Sequence, residues 1–312
     1  DNRFLDQLTP DDVAAITAQA YAEMLEGGFT RVGEFHYLHH DPAGAPYADP
    51  AAMAGAIVEA SAATGIGLTL LPVFYAHGNF GGAAPSPGQR RFLSDIDGFA
   101  QLLDASRAKL IGDANIGIAP HSLRAVAPDQ LAALLAMSPS GPVHIHAAEQ
   151  EKEVADCVAW SGARPVAWLL DNVGVDARWC LIHSTHLDVR EVLRLAASGA
   201  VAGLCPITEA NLGDGIFPAV DYLTADGRFG VGTDSNILID AAGELRALEY
   251  SQRLARRARA LLAATRSPFV GANLYARALA GGAQALGVEA GFAVGQSADI
   301  VLQPVEHEAH QV

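Results

Sequence analysis

The chain has 312 residues, of which 50% are apolar and 18% are charged, and its formal net charge is −15 at pH 7. This length suits a single α/β barrel, and the composition can supply a large buried core. The negative charge disfavours nucleic acid and anionic membranes as partners, because both would be repelled. A small anionic substrate would therefore need a local cationic pocket.

The chain carries no pattern typical of export or membrane insertion. Its first twelve residues are polar and acidic, and the uncharged stretch 60–89 is interrupted by Gly, Ser and Pro. The three cysteines, Cys157, Cys180 and Cys205, form no Cys-x-x-Cys pair. We therefore expect reduced thiols, a cytoplasmic location and no membrane association.

Helices and strands are predicted to alternate along the chain. Thr9-Pro10-Asp11-Asp12 is typical of a helix start, with a capping hydroxyl, a proline and acids near the positive end. Helices are predicted at 9–25, 50–65, 95–108, 128–137, 149–160, 164–172 and 187–198. Strands are predicted at 30–37, 66–73, 115–119, 142–147, 179–183, 200–205 and 229–234. Several strands are almost continuously apolar, which indicates a parallel sheet covered on both faces.

The number of predicted strands leaves two architectures open. Seven strands are found, whereas a (β/α)₈ barrel needs eight, and the series begins with a helix. Either the sheet is open and doubly wound, or the chain lacks the first strand of a barrel. The polar residues at the strand ends favour the barrel.

Polar side chains follow nearly every predicted strand, which is where α/β barrels carry their chemistry. In chain order they are Glu34, His36 and Tyr37; His77; His121 and Arg124; His144, His146 and Glu149; His183 and His186; Thr208, Glu209 and Asn211; and Thr233, Asp234 and Ser235.

The group at 144–149 indicates metal chemistry. His144 and His146 are two residues apart, so a strand directs them to the same side, and an imidazole pair suits zinc. Glu149 follows at the strand-to-helix turn, where a carboxylate can take a proton from water and give it to a leaving nitrogen. Asp234 can supply a hard oxygen ligand.

Other polar residues have plainer interpretations. His39, His40 and His77 are expected to be hydrogen-bonded core histidines, and Cys205 a small buried apolar residue. His186 is expected to lie at a helix start. Motifs of serine hydrolases, P-loop proteins, zincins and cytidine-type deaminases are absent from the sequence.

At this point the residues resemble a known family. His-x-His-x-x-Glu at 144–149, His183, and Thr-Asp-Ser at 233–235 look like the deaminase branch of the amidohydrolase superfamily. Three longer stretches, 34–41, 119–124 and 205–215, are similar to the formimidoylglutamate deiminase family. The similarity runs from about Phe4 to about Leu302.

The resemblance implies a (β/α)₈ barrel that uses one divalent metal, usually zinc, to activate a water molecule. The implied reaction is hydrolysis of N-formimidoyl-L-glutamate to N-formyl-L-glutamate and ammonia, a step of histidine degradation. It also suggests a homodimer.

The resemblance also implies roles for individual residues. His146 and Asp234 would bind the metal, Glu149 would carry the proton, and His183 would act in catalysis with Asp234. The substrate would be contacted by His121, Arg124 and Tyr37, with the Arg124 fork matching a carboxylate. The role of His144 stays open.

The sequence departs from the family in one respect. The family carries a His-x-His metal-binding pair on its first strand, whereas the only such pair here is at 144–146. We therefore expect residues 1–290 to form a barrel without that strand, and 291–312 to hold a returning strand of a small β-sandwich, at Gly295 to Leu302, and a tail. The alternatives are a deaminase acting on guanine or adenosine-like compounds, and a catalytically inactive barrel that only binds a ligand.

Overall fold

The computed structural model describes residues 2–264, 269–291 and 294. It contains eight short strands, all paired in parallel. They are β1 Arg31–His36, β2 Gly67–Phe74, β3 Asn115–Ile116, β4 Ala119–Pro120, β5 Val143–Ala147, β6 Trp179–His183, β7 Val201–Leu204 and β8 Arg228–Val231.

Helices connect the strands and cover the sheet. They are α1 Asn2–Leu5, α2 Pro10–Glu26, α3 Ala52–Thr64, α4 Ile96–Lys109, α5 Pro128–Met137, α6 Glu151–Ser161, α7 Pro165–Asn172, α8 Val189–Ser198, α9 Pro206–Leu212, α10 Ala219–Thr224, α11 Ala241–Arg256 and α12 Val270–Ala285. A short 3₁₀ turn covers Pro87–Gln89. Among the described residues, no helix is long and apolar enough to cross a membrane.

The strands follow one another around the sheet in chain order. One set runs β1-β2-β3, with β4 also pairing β2, and the other runs β5-β6-β7-β8. Single bridges from Ile118 to Val143 and from Ser122 to His146 join the two sets. The predicted strand at 115–119 is therefore the broken pair β3 and β4, and the sheet has seven strand positions, as the sequence predicted.

Helix α12 packs against β8 and β7, and no pairing joins β8 to β1 in the described parts of the chain. The helix approaches β8 closely, because a Cβ added at Gly281 would stand 2.0 Å from the carbonyl oxygen of Phe229. Just beyond the helix, the Leu286 carbonyl accepts hydrogen bonds from Thr69 (3.0 Å) and Asn115 (2.9 Å). The C-terminal end of α12 thus ties β8 to strands from the other set.

Most predicted elements are confirmed to within a few residues at their ends. The helix start predicted at Thr9 is confirmed, with Thr9 forming a capping box with Asp12, and the strand at Trp179–His183 has the predicted bounds. Helices α9 to α12 were not predicted; α9 in particular lies in a stretch that the sequence suggested only as a polar strand end. The predicted β-sandwich strand at Gly295 to Leu302 lies outside the described residues, and the division at residue 290 stays a prediction.

Candidate active site

The loops after β5, β6 and β8 bring four predicted site residues together. The His146 and His183 rings lie nearly parallel, 5.5 Å apart between centroids. The Glu149 carboxylate oxygen Oε1 is 3.8 Å from His183 Nε2. Asp234 and His183 offer ligand atoms within 4.8 Å of one another. The predicted catalytic and metal-binding residues therefore share one site.

His183 lies between two carboxylates. Its Nδ1 faces Glu209 Oε1 at 3.3 Å, while its Nε2 faces Glu149. Burial alone would lower the pKa of His183, but the nearby Glu209 and Glu149 carboxylates outweigh it and raise the pKa above its usual value. Burial raises the pKa of Glu149 as well. The raised pKa values favour the protonated form of both groups, which face each other at 3.8 Å.

His146 is fixed in one tautomer by the backbone. Its Nδ1–H donates to the carbonyl of His121 at 3.0 Å, which leaves Nε2 with a free lone pair. Burial keeps the pKa of His146 well below its ordinary value, so the ring stays neutral. A neutral imidazole held in this way suits metal binding.

Three neighbouring side chains offer ligand atoms that could together hold a divalent metal. In the described residues, His183, Cys205 and Asp234 form a group whose ligand atoms lie within 4.8 Å of one another. Burial raises the pKa of the Cys205 thiol well above 9, so it stays protonated and is the weakest ligand of the three. His146 does not belong to this group of described residues, so the assignment of His146 and Asp234 as the metal ligands stays a prediction.

The residues predicted to contact substrate lie next to this site, with Arg124 beside Glu149 and His121 beside His146. Arg124 Nη2 is 3.6 Å from Glu149 Oε2, and the Arg124 Nε is buried without a hydrogen-bond partner. The His121 ring packs against Tyr75 at 4.6 Å and Tyr37 at 6.2 Å between centroids. Burial lowers the pKa of His121 to about 3, so His121 is neutral and can accept or donate a hydrogen bond.

His144 does not join this site, although it shares a strand with His146. Its Nε2–H donates to the carbonyl of Ala285 at 2.7 Å, and burial lowers its pKa to about 4. It therefore anchors the end of α12 beneath the site, which answers the question that the sequence left open.

The plainer interpretations hold for His39, His40, His77 and His186. His39 donates to the Val73 carbonyl at 2.9 Å and His40 to the Leu93 carbonyl at 2.6 Å. His77 pairs with the Gln130 side chain at 3.1 Å. His186 lies before the cap of α8 and bonds the Asp214 carbonyl at 2.8 Å. Each is hydrogen-bonded to the protein, as expected.

Two buried carboxylates at the site were not singled out by the sequence. Glu209 is 3% exposed and reaches His183, and Glu153 is 3% exposed and bonds the backbone at Glu149. Glu209 was among the polar residues after β7, so its position was a usable signal. Glu153 lies in a predicted helix, where a glutamate ordinarily indicates a solvated face.

The site's backbone is held in uncommon conformations. Ala148, His183 and Asp234 have φ values of 54°, 67° and 44°, in the left-handed region that side chains other than glycine rarely adopt. Such strain persists only where surrounding contacts hold it, and it is concentrated at functional sites.

Comparison with known proteins agrees with this geometry. The model of the amidohydrolase family matches residues 2–307. A solved amidohydrolase from Brucella melitensis superimposes with a TM-score of 0.90 at 55% identity, covering 92% of this chain and 64% of that one. The chain belongs to the amidohydrolase family, and the barrel prediction is confirmed.

Within the amidohydrolase family, one relative with a curated function is more than half identical to this chain. Formimidoylglutamate deiminase from Pseudomonas aeruginosa is 53% identical over 303 residues, covering 96% of this chain and 67% of the relative. A 5-methylthioadenosine/S-adenosylhomocysteine deaminase from Natronomonas pharaonis is 28% identical over 91% of this chain and 60% of its own length. A zinc-bound adenosine deaminase structure from Xanthomonas campestris has a TM-score of 0.70 at 26% identity, covering 90% of this chain and 58% of that one. The chain thus spans about two thirds of the length of its relatives.

Proposed function

We propose that the full-length protein hydrolyses N-formimidoyl-L-glutamate to N-formyl-L-glutamate and ammonia. One observation carries the proposal: the Glu149 carboxylate lies 3.8 Å from His183 Nε2 and 3.6 Å from Arg124 Nη2. A proton carrier is thereby placed between an imidazole suited to hydrolysis and a guanidinium suited to an anionic substrate. The 53% identity to a formimidoylglutamate deiminase supports the same substrate.

The proposed reaction assigns separate roles in metal binding and proton transfer to four residues. His146 and Asp234 would hold one divalent metal, which when bound lowers the pKa of a coordinated water and lets it act near neutrality. Glu149 takes the proton from the attacking water as oxygen bonds to the formimidoyl carbon. His183, oriented by Glu209, hydrogen-bonds the oxygen. Glu149 then passes this proton to the imine nitrogen, and the remaining proton of the attacking water is also transferred to that nitrogen as the oxygen becomes a carbonyl. The carbon–nitrogen bond breaks, and ammonia leaves.

Arg124 would recognise the glutamyl part of the substrate. Its guanidinium carries a buried Nε without a partner, and a substrate carboxylate would satisfy it. The protein's net charge of −15 makes such a local cation necessary for an anionic substrate. His121, three residues before Arg124, and Tyr37, whose ring centroid lies 6.2 Å from that of His121, would complete these contacts.

The same proposal covers the identity of the metal, the metabolic pathway, the location and the binding partners. Zinc would be the metal, since imidazole and carboxylate ligands suit it and a zinc-bound deaminase is among the structural relatives. The substrate places the reaction in histidine degradation, in the cytoplasm. The partner is a small anionic molecule rather than nucleic acid or membrane, and the enzyme would be a homodimer.

A purine deaminase is the second candidate. Tyr75 and Tyr37 pack around His121, and aromatic rings of this kind could stack on a base. Relatives at 28–30% identity include an 8-oxoguanine deaminase and a 5-methylthioadenosine/S-adenosylhomocysteine deaminase. The higher identity to the formimidoylglutamate enzyme and the cation at Arg124 favour the first candidate.

The test is ammonia release by the full-length protein with zinc restored. N-formimidoyl-L-glutamate, guanine and adenosine would be compared, each with and without a chelator. Chelator-sensitive release from the formimidoyl compound alone is expected. Release from a purine alone would support the second candidate, and no release from metal-loaded protein on any of the three would favour a barrel that only binds its ligand.

A further inference from the structure

The turn that carries Glu149 is held by a carboxylate with no obvious chemical role. Glu153 lies in the first turn of α6 and is 3% exposed. Its Oε1 accepts a hydrogen bond from the Ala148 amide at 3.1 Å, and its Oε2 accepts one from the Glu149 amide at 2.9 Å. Both carboxylate oxygens are therefore bonded to the two peptide units that set the position of Glu149.

The other side of the same turn is bonded to the loop after β6. The Ala147 carbonyl accepts from the Ser184 amide, and the Ala148 carbonyl accepts from the His186 amide, both at 3.0 Å. Residues on either side of His183 are thus tied to the turn that precedes Glu149. With Glu153 in place, the amides of Ala148 and Glu149 and the carbonyls of Ala147 and Ala148 all have hydrogen-bond partners.

The turn needs such support because its backbone is strained. Ala148 is fully buried and has a φ of 54°, a conformation that costs an alanine roughly 1 kcal/mol or more. A buried carboxylate that bonds two amides can hold that conformation, since charge-assisted hydrogen bonds are about twice as strong as neutral ones. In the described residues Glu153 has no basic side chain as partner, so the two amides are what balances its burial.

We propose that Glu153 is a positioning residue that fixes the Glu149 carboxylate relative to His183. The proposal rests on the function assigned above, because it concerns the approach of Glu149 to the reacting atoms. A glutamate at this place in a helix could instead serve only as a cap that stabilises α6. The two interpretations differ in what a substitution does to turnover in folded protein.

The variants are Glu153→Gln, Glu153→Ala and the matched control Glu151→Gln, which changes an exposed glutamate of the same helical turn. Glu153→Ala should lower kcat by about 10- to 100-fold while KM stays near wild type, because small displacements of a catalytic group cost that much. The kcat of Glu153→Gln should fall between those of wild type and Glu153→Ala, since its amide oxygen still accepts one of the two bonds. Glu151→Gln should match wild type.

Amide hydrogen exchange in the metal-free protein gives a readout that needs no substrate. The amides of Ala148 and Glu149 should exchange faster in Glu153→Ala, while those in the second turn of α6 keep their wild-type rates. Faster exchange throughout α6, or turnover that tracks only the folded fraction, would identify Glu153 as a simple helix cap. Unchanged exchange at 148 and 149 would overturn the proposal outright.

This design separates the two hypotheses. If wild-type protein releases no ammonia from the formimidoyl substrate, the proposed function fails, yet the exchange rates still report whether Glu153 holds the turn. If wild type is active and both Glu153 variants retain wild-type kcat, the proposed function stands and the positioning role is wrong.

Discussion

The two halves of the strand series present different surfaces to the site. Strands β1 to β4 contribute an apolar cluster inside the sheet, where Phe35 packs against Leu71, Val73 and Ala119, and β1 also carries the ionisable residues Glu34 and His36. Strands β5 to β8 end in ionisable groups, among them His146 and His183. The residues proposed to bind metal and carry protons all lie in or after strands of the second half, whereas the proposed substrate contacts Tyr37, His121 and Arg124 follow strands of the first half.

The backbone shows the same division. Among described residues other than glycine, none before Ala148 has a positive φ, whereas Ala148, His183, Ser184, Asp234 and Asn236 all do. Strained conformations persist only where surrounding contacts hold them. The second half therefore combines the proposed reacting groups with strained backbone, while Arg124 and the rings that follow β1 to β4 are the proposed substrate contacts, and Arg124 lies 3.6 Å from Glu149.

The largest effect is expected from removing the proton carrier. Glu149→Gln keeps the shape of the side chain but cannot take a proton, so kcat should fall by about 10²- to 10⁴-fold. Metal content should match wild type, because Glu149 is not assigned as a ligand. Steady-state kinetics and metal analysis check both points, with the exposed Glu151→Gln as control. Full activity in Glu149→Gln would remove Glu149 from the mechanism.

Substitution of Glu209 should have the next largest effect on kcat, because Glu209 acts through His183. Glu209→Ala leaves His183 Nδ1 without its partner at 3.3 Å, and such outer contacts are typically worth 10- to 100-fold in activity. Glu209→Gln should lose less, since its amide oxygen can still accept from Nδ1. The kcat values of both variants would be compared with that of Asn211→Ala, an exposed change in the same helix. Equal kcat in all three would show that His183 needs no orientation.

Two adjacent glycines in α12 test how tightly β8 is held. A Cβ at Gly281 would stand 2.0 Å from the Phe229 carbonyl oxygen, whereas one at Gly282 meets nothing within 4 Å. Gly281→Ala should lower the free energy of unfolding by about 1–3 kcal/mol through overpacking. Gly282→Ala should leave it unchanged or raise it slightly, since alanine favours helix. Urea unfolding of both variants measures this, and equal stabilities would contradict the close packing.

The smallest effect concerns a buried acid beneath the site. Glu244 is fully buried, its Oε2 accepts from the Ile207 amide at 2.9 Å, and its Oε1 has no partner. Burial raises its pKa from 4.5 to about 8. Below pH 4.5 the group is protonated in both states. As pH rises towards 8 the unfolded chain ionises first, so the protein loses stability across this window.

Glu244→Gln is neutral at every pH and should remove this loss. Metal-free wild type and variant would be unfolded in urea at pH 5 and pH 8. The variant should gain on the order of 1 kcal/mol relative to wild type between the two pH values. A stability difference that is the same at both pH values would mean that Glu244 is ionised throughout.

Sequence reasoning reached most of the fold because helix caps, glycine stops and apolar runs are local signals. It gave seven strand positions and found His146, Glu149, His183 and Asp234 from their places at strand ends. It missed helices α1 and α9 to α12, and in α9 the polar residues Thr208 and Glu209 suggested only a strand end. His144 shows a different limit: its spacing from His146 indicated a shared role, but its partner at Ala285 is 141 residues away in the chain.

Glu153 could not be recognised for a similar physical reason. The sequence does not distinguish a helical glutamate that faces water from one that bonds a strained turn, because burial of the side chain depends on the fold. Cys205 was expected to be a buried small residue, which the structure bears out at 6% exposure, and its proximity to His183 and Asp234 emerges only in three dimensions.

The division of labour between the two halves can be tested most directly at Arg124. The measurement is the ratio of kcat/KM for N-formimidoyl-L-glutamate to that for N-formimidoylglycine, which lacks the side-chain carboxylate, in wild type and in Arg124→Ala. The exposed Arg107→Ala serves as control. The wild-type ratio should exceed that of Arg124→Ala by about 10- to 100-fold, as expected for a lost charge-assisted pair, with activity on the glycine compound retained. An unchanged ratio, or equal loss on both substrates, would contradict the assignment of substrate selection to the first half.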